Sequence, residues 1–286
     1  MTALARSDDR FDLTQDDFER LARFIAEASG IRITPPKKIM IEGRLRHRVR
    51  ALGFADITEY CDYLFREDGL ADEAERIIDA VSTNKTDFFR EAEHFHFLTE
   101  VALPRLVRAG LCGQGETLQV WSAAASTGAE AYSLAMTLAD WSQLVHPLRW
   151  SILATDICRD VLETGAAGIY PEATIAPVPQ EMRRRYLLRS RDREAALVRI
   201  VPELRARVAF ARLNLIDTAY RLPHAMQVVF CRNVLIYFDK PTQIKVLARI
   251  CQSLAPGGFL FVGHSETITG YALPLRQVAP TVFERV

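Results

Sequence analysis

A loop of small side chains lies between a strand-like segment and a helical pattern near the middle of the sequence. The loop, residues 123–128, reads Ala-Ala-Ala-Ser-Thr-Gly and follows the mainly apolar segment 118–122. Small side chains let a ligand approach the backbone closely. The N–H groups at the start of a helix favour a carboxylate or a phosphate. This pattern predicts a binding site for a nucleotide-like ligand.

Polar side chains after two later apolar segments extend the predicted site. Asp156 ends the next strand-like segment, where a carboxylate can accept hydrogen bonds from both ribose hydroxyls. The alternative role of Asp156 is to cap the helix that follows it. Asn214 and Leu215 follow a further segment, where asparagine can read the edge of an adenine, although asparagine is also a common turn residue. Together these positions favour a nucleoside.

The glycine content of the loop separates two classes of nucleoside cofactor. Dinucleotide-binding folds use Gly-x-Gly-x-x-Gly, because a pyrophosphate must approach the backbone very closely. Here the loop has Gly128 but carries β-carbons at 123–127. S-adenosylmethionine has no phosphate and presents a carboxylate, a sulfonium, a ribose and an adenine, so a looser loop is sufficient. The Pro-Gly-Gly turn at 256–258 also suits a methyltransferase domain that binds this nucleoside.

Two parts of the chain, with different apolar spacing, must position these residues. Residues 12–80 have the spacing of helices, beginning with a predicted helix over 16–29 between Thr14 as N-cap and Gly30 as stop. Further helices are predicted after Pro35-Pro36, with Ile41, Leu45, Val49 and Leu52 on one face and Gly53 at the end, and over 57–65 and 72–81.

From about residue 117 strands alternate with helices, which predicts a parallel sheet in an α/β fold. The segments 197–201 and 208–213 read as strands of a small antiparallel excursion, and 281–283 reads as a last strand. The main elements are expected at 118–122, 130–141, 150–155, 158–166, 227–230, 241–254 and 259–262.

Composition excludes several function classes. The 286 residues include 36 basic and 36 acidic side chains, so no global charge favours nucleic acid or a membrane surface. The 5 cysteines are odd in number and show no Cys-x-x-Cys spacing, which argues against a disulfide framework or a zinc site and for a reducing compartment. No signal peptide or apolar run of transmembrane length is evident. His94 and His96 have unsuitable spacing for one metal-binding helix face and are interpreted as structural, so no metal is expected.

At this point the residues resemble a known family. The chain from about residue 12 to its end is similar to CheR-type chemotaxis-receptor glutamate methyltransferases. The matching motifs are Ser-Thr-Asn-Lys-Thr-Asp-Phe-Phe-Arg-Glu (82–91), Trp-Ser-Ala-Ala-Ala-Ser-Thr-Gly (121–128), Ala-Thr-Asp-Ile (154–157), Phe-Cys-Arg-Asn-Val-Leu-Ile-Tyr-Phe (230–238) and Gly-His-Ser-Glu (263–266).

The resemblance implies a fold, an activity and a partner. The fold is α/β: a Rossmann-like S-adenosylmethionine-dependent methyltransferase domain with a small antiparallel β-subdomain, preceded by a small all-α domain. The implied bounds are 1–82 for a helical receptor-docking domain, 83–92 for a linker that covers the cofactor, and 93–286 for the methyltransferase domain with its β-subdomain at about 178–213. The implied reaction transfers a methyl group to glutamate carboxylates of chemoreceptors, giving glutamyl methyl esters and S-adenosylhomocysteine during sensory adaptation. The expected partner is the cytoplasmic helical region of methyl-accepting receptors, met by a cytoplasmic monomer that does not insert into the membrane.

The resemblance also implies site residues. Arg232 and Tyr237 match positions beside the transferred methyl group and are the expected catalytic residues. After Gly128 the family usually reads Glu-Glu-Pro-Tyr, whereas this chain reads Ala-Glu-Ala-Tyr, a departure that concerns only the local shape of the loop. The cofactor-binding positions that carry over are Asn84, Thr86, Arg90, Glu130, Asp156, Asn214, Leu215, Cys231 and Arg232.

The implied chemistry suits these side chains. The acceptor glutamate, with a reference pKa of ~4.3, is already an anion at neutral pH, so no general base is required. Sulfonium and carboxylate both lose charge in the transition state, so a closed, dry, well-aligned site is the main requirement. Arg232 would hold one carboxylate oxygen, and Tyr237 would fix the same group or the methyl donor. The alternative is an arginine in a salt bridge and a core tyrosine.

The linker and the basic segments each have alternative interpretations. Asn84, Thr86 and Arg90 would cover the methionine end of the cofactor, with Arg90 near its carboxylate and the Phe88-Phe89 pair as an anchor. The alternative is that they only cap a helix.

A basic helix with Glu42 as its only acid would dock acidic receptor helices, or would be a solvated face. Its basic residues are Arg44, Arg46, Arg48 and Arg50, beside Lys37 and Lys38. A second basic run, from Arg183 to Arg193, would bind a receptor's C-terminal tether by strand addition or be a solvated helix.

The sequence disfavours two other functions. A nucleic-acid methyltransferase is disfavoured by the neutral total charge and by Arg-Asn-Val-Leu at 232–235, where a base-flipping enzyme would have a sequence such as Asn-Pro-Pro-Tyr. A non-catalytic S-adenosylmethionine-binding regulatory module is disfavoured by the presence of Asp156, Arg232 and Tyr237 together.

Overall fold

A computed structural model describes residues 12–113, 115–192 and 194–286. The chain divides into two compact units. One takes in the described residues up to Thr83 together with Tyr237–Asp239, and the other takes in Asn84–Ile236 and Lys240–Val286. In the described part of the chain, no helix is both long enough and apolar enough to cross a membrane.

The first unit is helical, as predicted. Helix α1 begins after Thr14, whose hydroxyl oxygen accepts a hydrogen bond from the Asp17 N–H at 3.1 Å, and ends at Gly30. Gly30 has φ 75°, a left-handed conformation that glycine adopts without strain. The helices are α1 Gln15–Ser29, α2 Lys38–Ala51, α3 Ile57–Arg66 and α4 Leu70–Val81.

The predicted apolar face of α2 requires one correction. Ile41, Leu45 and Val49 are buried, but Leu52 is 39% exposed. The helix ends at Ala51, and Gly53 turns the chain with φ 82°. Leu52 therefore lies at the C-cap and does not continue the buried stripe.

The second unit is built on a 7-stranded sheet in the order β6-β2-β1-β7-β8-β10-β9. β6, β2, β1, β7 and β8 are parallel, whereas β10 is antiparallel to β8 and to β9. Except for one residue, β1 is buried throughout, and so is β7. Burial of this kind is typical of strands in a parallel sheet covered on both faces, which the alternation of strands and helices predicted.

The strands, in chain order, are β1 Leu118–Ala123, β2 Trp150–Asp156, β3 Ile169–Pro171, β4 Leu187–Arg189, β5 Leu197–Ile200, β6 Val208–Arg212, β7 Met226–Cys231, β8 Leu254–Val262, β9 Leu275–Ala279 and β10 Val282–Arg285. The helices of this unit are α5 Ala92–Phe97, α6 Leu103–Arg108, α7 Ala129–Leu144, α8 Arg159–Ala167, α9 Gln180–Tyr186, α10 Pro202–Arg205 and α11 Lys240–Ser253, with a π-helical segment Leu98–Ala102 between α5 and α6.

The small antiparallel sheet exists, but its membership differs from the prediction. It has the order β3-β5-β4, so 197–200 is its central strand and 169–171 joins it from before residue 178. The assignment of 208–213 to this excursion was wrong, because Val208–Arg212 pairs in parallel with β2. A short strand carries no local signal of its partner, and here packing decides it: Phe210 fits against Gly128 and Gly165, where a Cβ would lie 2.9 and 2.4 Å from its ring.

Candidate functional site

The strand order reverses at β1, which lies between β2 and β7. Ala123, the last residue of β1, is in register with Thr155 of β2 and with Cys231 of β7. The carboxyl ends of these strands therefore meet at one edge of the sheet. Open α/β sheets bind ligands in the crevice outside this edge, at the point where the strand order reverses. The predicted loop, Asp156 and Arg232 all follow or end these strands.

The loop after β1 takes an unusual backbone path. Ala124 has φ 64° and Ser126 has φ 51°, both in the left-handed region that side chains with a β-carbon seldom occupy. Gly128 has φ 86° and lies so close to Phe210 and Gly165 that a Cβ would collide. α7 begins directly after it, at Ala129. Gly128 is therefore required by the path of the loop and by its packing, whereas Ala124 and Ser126 adopt a conformation that is strained for their side chains.

Asp156 ties this loop to the end of β2. One carboxylate oxygen accepts a hydrogen bond from the Ser126 N–H at 2.8 Å, and the other accepts one from the Cys158 N–H at 3.1 Å. Since α8 starts at Arg159, the second bond resembles the capping role considered above. Leu213 N–H donates to the Asp156 carbonyl at 3.0 Å, which brings Asn214 to the same edge.

The segment 84–91 runs along this edge of the second unit. The Ser126 hydroxyl donates to the Asn84 carbonyl at 2.7 Å, and the Asn84 amide lies 3.6 Å from the Cys158 sulfur. Phe88 is buried and meets the Tyr170 ring edge-on with centroids 5.1 Å apart. Phe89 is half-buried and packs against Phe95 with ring centroids 5.2 Å apart, so both residues anchor this segment. Thr86 is half-buried and Arg90 is exposed at this stretch.

Arg232 is the centre of a buried charge network. Its guanidinium lies 3.0 Å from the Glu91 carboxylate and 3.3 Å from that of Glu130, and it donates to the Arg90 carbonyl. The Ser122 hydroxyl donates to Glu130 at 2.6 Å. The side chain of Arg232 is only 2% exposed. The structure therefore gives this arginine two carboxylate partners within its own unit.

Burial and neighbouring charges shift the pKa values of the side chains around Arg232. Burial raises the pKa of the Glu130 carboxyl, opposed by the charge of Arg232. Burial also works to raise the pKa of Glu91, but the Arg232 guanidinium and a hydrogen bond from Asn233 hold that pKa below its usual value. Burial, followed by the charge of Arg232, lowers the pKa of His94 to about 4, so His94 is a neutral imidazole at neutral pH.

Glu266 shapes the backbone that follows Arg232, a role that the sequence pattern did not indicate. Its carboxylate accepts hydrogen bonds from the N–H groups of Asn233 at 2.9 Å, Leu235 at 2.7 Å and Gly263 at 2.6 Å. Asn233 is in the left-handed region at φ 58°. A Cβ at Gly263 would lie 2.5 Å from the Asn233 amide nitrogen. The Gly-His-Ser-Glu motif thus braces the loop that begins at Arg232.

Comparison with known families accounts for both units. The all-alpha domain of CheR methyltransferases matches residues 16–82, and the SAM binding domain of CheR methyltransferases matches residues 84–283. The chain belongs to the CheR methyltransferase family. It is therefore an S-adenosylmethionine-dependent methyltransferase of chemotaxis, and the predicted fold class is confirmed.

Relatives match this CheR chain over nearly its full length. Chemotaxis protein methyltransferase 2 of Pseudomonas aeruginosa is 36% identical over 96% of this chain and 94% of the relative. The chemotaxis protein methyltransferase of Salmonella typhimurium is 38% identical over 99% of this chain and 94% of its own length. That of Escherichia coli is 39% identical over 93% of this chain and 89% of its own length.

Arg44 and Arg48 of the basic helix α2 of this CheR protein bind other parts of the helical unit. Arg44 donates to the Ser82 carbonyl at 2.9 Å, just beyond the C-terminus of α4. Arg48 pairs through two nitrogens with Glu73, at 2.6 and 2.5 Å. Arg46 is half-buried, and Arg50 is exposed. Arg44 and Arg48 thus hold the helical unit together, and Arg50 is the most accessible of the predicted docking residues.

The remaining predicted residues have contrasting surroundings. Tyr237 belongs to the first unit, where its carbonyl accepts a hydrogen bond from Arg32 N–H at 2.9 Å. Cys231 is fully buried, and this burial raises the pKa of its thiol. The Asn214 side-chain oxygen accepts from Ile216 N–H at 3.2 Å. In the second basic run, Arg183, Arg185 and Arg189 all have partners, whereas Arg193 lies outside the described residues.

The structure also brings together residues that the sequence pattern kept apart. His94 and His264 lie beside Glu91, with one potential ligand atom from each within 4.8 Å of the others. The spacing of His94 and His96, which favours a structural role, does not reveal that Glu91 lies 3.5 Å from His94. The signal in the sequence is the three-residue spacing of Glu91 and His94. Helix α5 begins at Ala92, and residues three apart lie next to each other on a helix.

Proposed function

We propose that this CheR protein transfers the methyl group of S-adenosylmethionine to glutamate side-chain carboxylates of chemoreceptors, giving glutamyl methyl esters and S-adenosylhomocysteine. The observation that carries the proposal is the pair of family matches over residues 16–82 and 84–283. The names of the relatives support chemoreceptor substrates. The target is the cytoplasmic helical region of the receptors, reached by a cytoplasmic monomer that needs neither membrane insertion nor nucleic acid.

The edge of the sheet fits this nucleoside in its chemistry. The loop 123–128 has small side chains, which would let a ligand approach its left-handed backbone at Ala124, Ser126 and Gly128. Asp156 ends β2 at this edge, where its carboxylate is suited to accept hydrogen bonds from ribose hydroxyls. Arg90 is an exposed cation suited to a carboxylate. When bound, S-adenosylmethionine supplies a methyl group on a sulfonium.

We assign the binding roles by these chemical matches. Asn84, Thr86 and Arg90 cover the methionine end, with Arg90 near its carboxylate, and Asp156 binds the ribose. The base is bound at Asn214 and Leu215. Cys231 contributes through its backbone, since its side chain is buried, and Glu130 completes the site with Arg232.

Tyr237 and Arg232 are the proposed catalytic pair. The acceptor glutamate is an anion at neutral pH, so neither residue acts as a base, and the transfer itself requires no metal. Tyr237 orients the acceptor carboxylate or the methyl donor through its hydroxyl. Arg232 would hold one acceptor oxygen by exchanging a contact with Glu91 or Glu130, both of which lie within 3.3 Å of it.

The reaction class can be tested directly. Incubation with candidate receptor fragments and methyl-labelled S-adenosylmethionine is expected to label the fragments, and alkali is expected to release the label as methanol. Fragments with glutamine at the target glutamates are the control and should remain unlabelled. Base-stable label, or label only on RNA or DNA added in parallel, would contradict a carboxyl methyltransferase.

Receptor docking by α2 forms a separate proposal. We propose that Arg50, which is exposed, and Arg46, which is half-buried, supply charge that attracts acidic receptor helices to α2.

Charge reversal of both residues, Arg46→Glu with Arg50→Glu, should lower kcat/KM for a receptor fragment by about tenfold at low salt. The effect should shrink above ~0.15 M salt, where surface charges are screened. Arg66→Glu on α3, at a side chain 68% exposed, is the matched control and should change little. Equal rates for the double variant and the control would contradict docking through α2.

A further inference from the structure

A carboxylate and two imidazoles converge in the second unit. The Glu91 Oε2 atom lies 3.5 Å from Nδ1 of His94 and 3.9 Å from Nε2 of His264. The two histidine rings are 5.1 Å apart between centroids. Two histidines and one carboxylate form a donor set that suits Zn²⁺ and neighbouring transition metals. Zn²⁺ bonds of about 2.0–2.2 Å place tetrahedral ligands roughly 3.3–3.6 Å apart. Glu91 and His94 already have that separation. His264 lies 3.9 Å from the Glu91 oxygen, with all three ligand atoms within 4.8 Å of one another, so it must move closer to complete the site.

The two ring nitrogens of His94 have different neighbours. Nε2 lies 2.8 Å from the Thr281 hydroxyl, within hydrogen-bond distance. Nδ1 lies on the side of Glu91, 3.5 Å from its Oε2 atom. A neutral imidazole binds a metal ion through one ring nitrogen. Nδ1 is therefore the nitrogen that can bind an ion beside Glu91.

One ring nitrogen of the cluster is buried and lacks a hydrogen bond within the described part of the chain. It is Nδ1 of His94, a residue that is 2% exposed. A buried polar atom without a partner costs free energy, so such atoms commonly mark a place for an ion or a water. A positive ion between this nitrogen and the Glu91 oxygen, 3.5 Å apart, would give both atoms a partner.

The atoms that would not bind the ion are held in place. Thr281 fixes the far nitrogen of His94, and the Asn233 amide donates to the other Glu91 oxygen at 3.2 Å. Partners of this kind orient metal ligands and set their tautomers. His264 is 50% exposed, so an ion can reach the cluster from solvent and water can complete its coordination.

We propose that Glu91, His94 and His264 bind a divalent transition-metal ion, with Zn²⁺ as the best fit, and that the bound ion inhibits methyl transfer. Inhibition follows from a shared atom: Arg232 lies 3.0 Å from the same Glu91 oxygen. An ion on that oxygen competes with the guanidinium and disturbs the network around Arg232. The inhibition, though not the binding, rests on the proposed methyltransferase activity.

Metal binding is tested without any activity measurement. The chelator-treated full chain is titrated with ZnCl₂ alone in a calorimeter, and CoCl₂ is followed by its visible absorption. One ion per chain is expected, with His264→Ala binding Zn²⁺ at least tenfold more weakly and losing the cobalt spectrum. His96→Ala removes an exposed histidine of the same region and should bind as the wild type does. Equal Zn²⁺ affinity in His264→Ala and wild type would overturn the site.

Inhibition is measured as the ratio of methylation rates with and without Zn²⁺, within each variant. The wild type and His96→Ala should be inhibited at the concentration that saturates the site, and His264→Ala should need at least tenfold more. Zn²⁺ binding without inhibition would overturn the inhibitory role and leave the site standing. If no receptor is methylated at all, the proposed function fails while the calorimetric result remains decisive for the site.

Discussion

Replacing Arg232 by alanine is expected to lower turnover by at least about 100-fold and the free energy of unfolding by about 3–5 kcal/mol. The loss of stability follows because Glu91 and Glu130 would each lose a buried partner, and removal of one side of a buried pair leaves uncompensated charge. Turnover falls because the proposed oxygen-binding group is removed. Urea denaturation measures the first effect and the receptor methylation assay measures the second.

A second variant separates the two effects. Arg232→Met combined with Glu130→Gln removes a buried carboxylate along with the guanidinium, so it should recover about 1 kcal/mol or more relative to Arg232→Ala. Its turnover should stay low. Arg184→Ala is the control, because it removes a guanidinium that is 65% exposed. It should change the free energy of unfolding by no more than about 0.5 kcal/mol. Near-normal turnover of a folded Arg232→Ala protein would remove the proposed role.

Replacing Asp156 by alanine should weaken S-adenosylmethionine binding by about 100-fold or more. Each hydrogen bond to a charged group contributes about 1.5–3 kcal/mol, and about 1.4 kcal/mol is a factor of ten in affinity. The variant loses the proposed ribose contacts, and the Ser126 and Cys158 N–H groups also lose their acceptor. Calorimetric titration with S-adenosylmethionine gives the affinity.

Two further variants show whether the loss of affinity comes from the Asp156 carboxylate. Asp156→Asn keeps one acceptor oxygen and should bind with intermediate affinity. Glu163→Gln neutralises an exposed acid on α8 and should bind like the wild type. If Asp156→Ala bound the nucleoside normally, Asp156 would have only its structural role at the loop and at the start of α8.

The predictable part of the fold is the part with local signals. Thr14 and Gly30 bound α1 because a cap and a left-handed stop act within a few residues of the helix they limit. β1 and β7 appear as apolar runs because they are almost entirely buried. β9 Leu275–Ala279 was missed because none of its residues is fully buried, so it has no apolar run.

Only those parts of the site that have a local signal could be predicted from the sequence. The loop 123–128 and Asp156 could be recognised because each directly follows or ends a strand, and parallel strands end at one edge. The partners of Arg232 could not be recognised, since Glu91 and Glu130 are 141 and 102 residues away along the chain. The same holds for Glu266, which reaches back 33 residues to Asn233.

The sequence by itself determined that this chain has a helical part followed by an α/β part, and that its small-residue loop suits a nucleoside without phosphate. It did so through caps, periodicity and motifs, which depend on neighbouring residues. Only the tertiary structure decided that Val208–Arg212 belongs to the parallel sheet, that Arg44 and Arg48 have internal partners, and that Glu91 lies between Arg232 and two histidines. Those outcomes depend on packing and charge pairing between distant segments, for which local sequence carries no signal.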